Sequence, residues 1–219
     1  RRRVTAMTKD VEPATRHDAR FAYPVILDLS EVRALVVGAG RVGAHKAAGL
    51  AAAGANVTVV APEVSDHLDR DRVMAVVERP FVVEDLDEVR VVVTATGHHD
   101  VDHAVAAAAR RRGIWVNAAD QPDDCDFILP AIARSGRVSV SVSTDGASPA
   151  LAGRLRDRCA EHLGPEVAAA AETLAVDRRR VHARGESTER VDWSARVSEL
   201  LDGPTEPDHL EMRVGSTQP

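Results

Sequence analysis

The chain has 219 residues, enough for one or two domains with a substantial core. Hydrophobic residues make up 44% and charged residues 28%, a globular profile, and no run approaches the roughly 20 apolar residues that a spanning helix needs. A net charge of −6 without a basic stripe argues against a nucleic-acid-coating role, and aromatics at only 3% leave a core built from Ala, Val and Leu.

Residues 1–21 begin RRRVTAMTKD, basic but without a following apolar segment, so they read as a disordered leader rather than a signal peptide, with Met7 a candidate start of translation. An apolar run at 33–38 predicts a buried strand, and an Ala-rich stretch at 44–54 predicts a helix. A second strand spans 56–62 and is expected to stop at Pro62; a third covers 73–78 and a fourth 90–96. A helix at 98–113 ends on a glycine, and a fifth strand follows at 114–119. Strands alternating with helices at this spacing imply an α/β fold, a Rossmann-like parallel sheet over 22–122.

The pattern then changes. Two strands around Ser135-Gly136 predict a β-hairpin within a segment 123–147. From Ser148 the chain reads as helical to Gly203, with Ser148 as N-cap, Pro149 at the first helical position and Gly164 as a stop. That gives a helical domain at 148–203 and a polar tail at 204–219. The two cysteines, Cys125 and Cys159, form no CxxC or metal-type pair, which points to a reducing compartment and a cytoplasmic location.

Gly38, Gly40 and Gly43 form G-x-G-x-x-G between the first strand and the first helix. The first glycine suits a tight turn, the second close approach of a pyrophosphate, and the third close helix–strand packing, while the helix N-terminus supplies free N–H groups to the phosphates. A second strand some 20 residues on completes the context of a dinucleotide site. The acid that would hold the ribose belongs at the end of that strand; Ala61 and Pro62 stand there, and Glu63 just after them is the best candidate. No arginine is placed to welcome a 2′-phosphate, so NAD is favoured over NADP.

Several segments share a second signal. GAGRVGAHK at 38–46, VTVVAPE at 57–63, TAT at 94–96, NAADQPDDCDFILPA at 117–131 and VSTDGASPALA at 142–152 together resemble precorrin-2 dehydrogenase, the sirohydrochlorin-forming enzyme of sirohaem biosynthesis, from about residue 22 to about 165. The resemblance implies NAD-dependent oxidation of precorrin-2 by a homodimer whose dimer contact involves the hairpin segment around 127–144. Catalysis falls on Asp120. Cofactor contacts fall on Arg41, Val42, Pro62 and Glu63, with Thr94, Ala95 and Thr96 along the cofactor. A serine that is a regulatory phosphosite in some members is replaced here by Thr144, and no fused methyltransferase domain is expected.

On spacing alone, Asp120 reads equally as a loop or capping aspartate in a turn ending at Pro122. In the family reaction a base must lie within hydrogen-bond reach of the proton it removes, and a carboxylate at the carboxyl edge of a parallel sheet is placed for that. A substrate rich in carboxylates calls for cations and hydroxyls. Candidates are His45, Lys46, Arg134 and Arg154, with Asn117, Ser143, Thr144 and Ser148, although Ser148 reads first as the helix cap. His99 and His103 share a helix face but have no third ligand, so no resident metal is expected; Fe2+ would enter only as a substrate, if the chain also inserts iron. Two other readings stand beside the dehydrogenase: a sirohydrochlorin ferrochelatase, which would work without NAD, and an NAD(H)-sensing binding module.

Overall fold

The structure, a computed structural model, describes residues 20–203. The tail expected at 204–219, and the leader expected at 1–21 apart from Arg20 and Phe21, lie outside the described residues. The chain forms two compact units. The first runs to Leu129 and includes Asp145–Ala147; the second comprises Pro130–Thr144 and the chain from Ser148 onward.

In the first unit β1 (Arg33–Ala39), α1 (Arg41–Ala52), β2 (Asn56–Val64), β3 (Ala75–Val77), β4 (Val91–Thr94), α2 (His99–Arg111) and β5 (Trp115–Ala118) build a five-stranded sheet of order β3-β2-β1-β4-β5. Every pairing is parallel. The central strands β1 and β4 are continuous runs of aliphatic residues because both of their faces are covered. On one face Val36, Val59 and Val93 pack with Ala44, Ala47 and Leu50 of α1. On the other Leu35, Val92 and Val116 pack with Val105, Ala106 and Ala109 of α2. After β3 the chain returns to the far side of β1 to lay down β4. The strand order therefore reverses beside β1, and in open α/β sheets ligands bind outside the carboxyl ends at such a point.

Two boundaries differ from expectation. Helix α1 begins at Arg41 rather than 44, because extended Gly40 serves directly as its N-cap, while Arg41 and Val42 face outward and leave no apolar mark in the sequence. Strand β2 does not stop at Pro62 but continues to Val64. Pro62 falls past the last β2–β3 pair and within the bulge between the Val37–Val60 and Ala39–Val64 pairs, where a missing N–H breaks no ladder.

The second unit contains the expected hairpin, β6 (Ala131–Ser135) and β7 (Val138–Val142), paired antiparallel, and the helices α3 (Pro149–Ala160), α4 (Pro165–Ala183) and α5 (Ser194–Asp202). Pro149 and Pro165 both open helices, where the absent N–H would have had no partner anyway. Hairpin and helices share one unit here, with β6 and β7 packed against α3. Among the described residues no helix is long and apolar enough to cross a membrane.

Candidate active site

The glycine turn closes on itself through backbone contacts. Gly38 has φ of +101°, and a Cβ there would come within 2.4 Å of the Ala95 carbonyl oxygen at the end of β4. A Cβ on Gly43 would lie 2.0 Å from the Gly38 carbonyl oxygen. Both positions are closed to side chains by the protein's own packing. Gly40 is different: an added Cβ meets nothing within 4 Å. No protein contact demands glycine at this N-cap, which leaves the α1 N-terminus open to a ligand that must approach the backbone closely.

That opening leads into a cleft of about 530 Å³ bounded by Gly38, Gly40, Pro62, Glu63, Ala95 and Thr96, with Pro80, Phe81 and His98 further out. The glycine turn, Pro62-Glu63 and Ala95-Thr96, which the sequence assigned to the cofactor, therefore meet around one space. Arg41 and Val42 sit on the exposed first turn of α1. Thr94 does not line the cleft; it is fully buried, and its hydroxyl donates to the Asp102 carboxylate beneath the loop. The residues present fit a dinucleotide, with an open helix N-terminus for phosphates and the Glu63 carboxylate at the end of β2 for a ribose hydroxyl.

Asp120 follows β5. Register pairs Thr94 with Ala118, so Asp120 leaves β5 at the level at which Thr96 leaves β4. Its side chain is exposed and its φ is +58°, a left-handed conformation that aspartate tolerates better than most residues. The backbone behind it is held by buried groups. The Cys125 thiol accepts from the Ala118 amide and donates back to the Ala118 carbonyl, each at 3.2 Å. Burial pushes this thiol above its usual range, which suits a structural group rather than a nucleophile.

Asn117 on β5 and Lys46 on α1 are joined by a hydrogen bond. Lys46 Nζ donates to Asn117 Oδ1 at 3.2 Å, and Asn117 Nδ2 donates to the Phe127 carbonyl at 3.0 Å. Asn117 is buried with both ends of its amide engaged, so it links α1 to the chain beyond β5. Burial lowers the Lys46 pKa below the ordinary lysine value, opposed by nearby Cys125 and Asp120. His45, its neighbour on α1, is exposed. Ser143, Thr144 and Ser148 belong to the second unit. Ser148 caps α3, accepting from the Leu151 amide at 3.2 Å, and its own amide donates to the Thr144 hydroxyl at 3.1 Å.

Three supporting residues escaped the sequence reading. Asp102, 2% exposed, sits beneath both the 94–96 loop and Gln121. Its signal was present: with Val105, Ala106 and Ala109 it occupies the buried stripe of α2 at helical spacing, an odd place for a carboxylate. Asp124 is buried against His103 at 2.8 Å and Arg110 at 3.3 Å. Burial alone would raise its carboxyl pKa; His103 and Arg110 outweigh that and hold it below the ordinary value. Arg20 donates to the carbonyls of Pro122, Asp123 and Cys125, contacts more than 100 residues apart in sequence that no local pattern announces.

A family model described as NAD(P)-binding matches residues 25–131, and a second, for the central part of a sirohaem biosynthesis protein, matches residues 136–162. The siroheme synthase of Methylococcus capsulatus is 43% identical over 139 residues, covering 62% of this chain and 29% of that protein. The siroheme synthase of Nitrosomonas europaea is 34% identical over 187 residues, covering 83% of this chain and 38% of that protein. The chain thus spans well under half the length of these curated relatives. The solved structure of SirC, a precorrin-2 dehydrogenase, aligns with a TM-score of 0.63 at 28% identity over 82% of this chain and 97% of its own. With both modules in tandem on this fold, the chain is similar to sirohaem biosynthesis proteins over most of its described length.

Proposed function

We propose that this chain is the NAD-dependent dehydrogenase that converts precorrin-2 to sirohydrochlorin, with Asp120 as general base. The observation that carries this reading is the placement of an exposed carboxylate, in a left-handed turn at the carboxyl end of β5, level with the Ala95-Thr96 edge of the dinucleotide cleft. Bound NAD supplies the hydride acceptor. The chain's own residues do the rest. The open α1 N-terminus takes the phosphates, Glu63 takes the ribose hydroxyls and disfavours a 2′-phosphate, and Asp120 accepts the proton released as the substrate loses its hydride. Lys46, half-buried next to Asp120, supplies positive charge on the side where a substrate bearing carboxylates would lie. A homodimer through 127–144 belongs to the same proposal. A hairpin whose edges have no strand partner among the described residues, with Ile132 at 40% exposure, supports it.

An anaerobic assay with enzymatically prepared precorrin-2 tests the reading by following sirohydrochlorin absorbance. Turnover should require NAD. Asp120→Ala should lower kcat by about 10²- to 10⁴-fold while NADH still binds. Absence of NAD-dependent turnover sinks the activity, and a full rate in Asp120→Ala sinks the base assignment alone.

A further inference from the structure

We propose that Asp102 is a positioning residue that couples the cofactor loop to the Asp120 turn. The inference rests on the reading of Asp120 given above. The two oxygens of its carboxylate divide the task. Oδ1 accepts from the Thr94 hydroxyl, from the Thr96 amide at 3.1 Å and from the Thr96 hydroxyl at 2.9 Å, so one atom holds the loop that borders the cleft. Oδ2 accepts from Gln121 Nε2 at 3.2 Å, and Gln121 is the residue directly after Asp120. The loops leaving β4 and β5 thereby share one buried anchor on the first turn of α2.

The hold on the Gln121 side chain is single. Its Oε1 is buried and has no hydrogen-bond partner among the described residues. The amide is therefore oriented by Asp102, and the left-handed Asp120 beside it inherits that constraint. A carboxylate this deeply buried persists where several donors satisfy it, and here four do. The geometry also makes a specific demand: an acceptor for Thr94 and Thr96 on one side and any hydrogen-bonding group for Gln121 on the other. Asparagine meets it, because the Gln121 amide can turn over and present its unused Oε1 to the new Nδ2.

Three variants separate the two halves of the anchor. Gln121→Leu cuts only the link to the Asp120 turn; it should lower kcat about tenfold while the NADH dissociation constant measured by calorimetry stays within about twofold. Amides of 119–125 should exchange faster with deuterium in the cofactor-free chain. Asp102→Ala cuts both links and should also weaken NADH binding about tenfold, whereas Asp102→Asn should keep kcat and NADH affinity near the parent values. If leucine unfolds the chain, Gln121→Met, of similar length, serves the same purpose. The proposal is overturned if the Gln121 variant has parental kcat and exchange rates, or if Asp102→Asn is as damaged as Asp102→Ala. Failure of the base assignment looks different: Asp120→Ala would then keep its rate, with the exchange and NADH-binding differences among the Asp102 and Gln121 variants intact.

Discussion

The glycine turn at 38–43 and the turn at Asp120 stand at the carboxyl ends of β1 and β5 and face the same end of the sheet, yet they are held in unlike ways. The first is shaped by what is missing. Gly38 and Gly43 have no room for a side chain, and backbone meets backbone across both positions. The second is shaped by side chains that are present. Asp102, Cys125 and Asp124 are all buried: Asp102 accepts from the Gln121 side chain, the Cys125 thiol exchanges hydrogen bonds with the Ala118 backbone, and the Asp124 amide donates to the Gln121 carbonyl. A turn made by exclusion is local and rigid. A turn made by a buried polar network depends on several partners at once, and losing one leaves others unsatisfied.

The largest effect expected is at the first turn. Gly43→Val forces side-chain atoms into the Gly38 carbonyl and should cost about 3 kcal/mol in urea unfolding, with NADH binding lost. Gly40→Ala makes the contrast within the same motif. Its φ of −71° suits alanine and nothing crowds the site, so stability should change by less than about 1 kcal/mol while NADH affinity drops. A Gly40→Ala variant that binds NADH like the parent would show that the phosphates do not approach there.

The same contrast explains what could be read without coordinates. The glycine turn, the alternation of strands and helices and the hairpin at Ser135-Gly136 are local patterns, and each element is present in the structure. Ser148 as helix cap was legible for the same reason. The supports of Asp120 were not, because they come together over distance. Asp102 reaches Gln121 across 19 residues, and Arg20 reaches Cys125 across 105. Asn117 stands in a motif shared with the family, but only the fold shows that its amide joins Lys46 on α1 to the Phe127 carbonyl. Pro62 looked like a strand end because a bulge that frees one N–H position cannot be seen from one strand alone.

A smaller effect is expected where the cleft meets the end of β2. Glu63 is exposed on the cleft wall, and a carboxylate there disfavours a 2′-phosphate. Glu63→Arg should therefore raise kcat/KM for NADP relative to NAD by about tenfold or more, an effect of roughly 1.4 kcal/mol. An unchanged ratio would place the ribose elsewhere in the cleft. Because Glu63 is separate from the supports of Asp120, kcat with saturating NAD should not move.

The smallest effect tests the network behind the second turn through pH. Asp124 is buried, its amide donates to the Gln121 carbonyl at 3.0 Å, and its carboxylate is shared by His103 and Arg110. Its folded pKa lies below the ordinary 3.8, so its contribution to stability is complete above 3.8 and disappears as pH falls through the lower folded value. Arg110→Met removes one of the partners that hold the pKa down, and the folded value moves up toward 3.8. The variant should lose about 0.5–1 kcal/mol at neutral pH, solvent screening of the partly exposed Arg110 keeping it small, and the gap from the parent should close as the solution is acidified below 3.8. Urea unfolding at a series of pH values measures that gap directly. A difference that stays constant with pH would mean that Arg110 acts through packing or through its bonds to Asp126 and the Asp123 carbonyl, and that the charge of Asp124 contributes little to the turn behind Asp120.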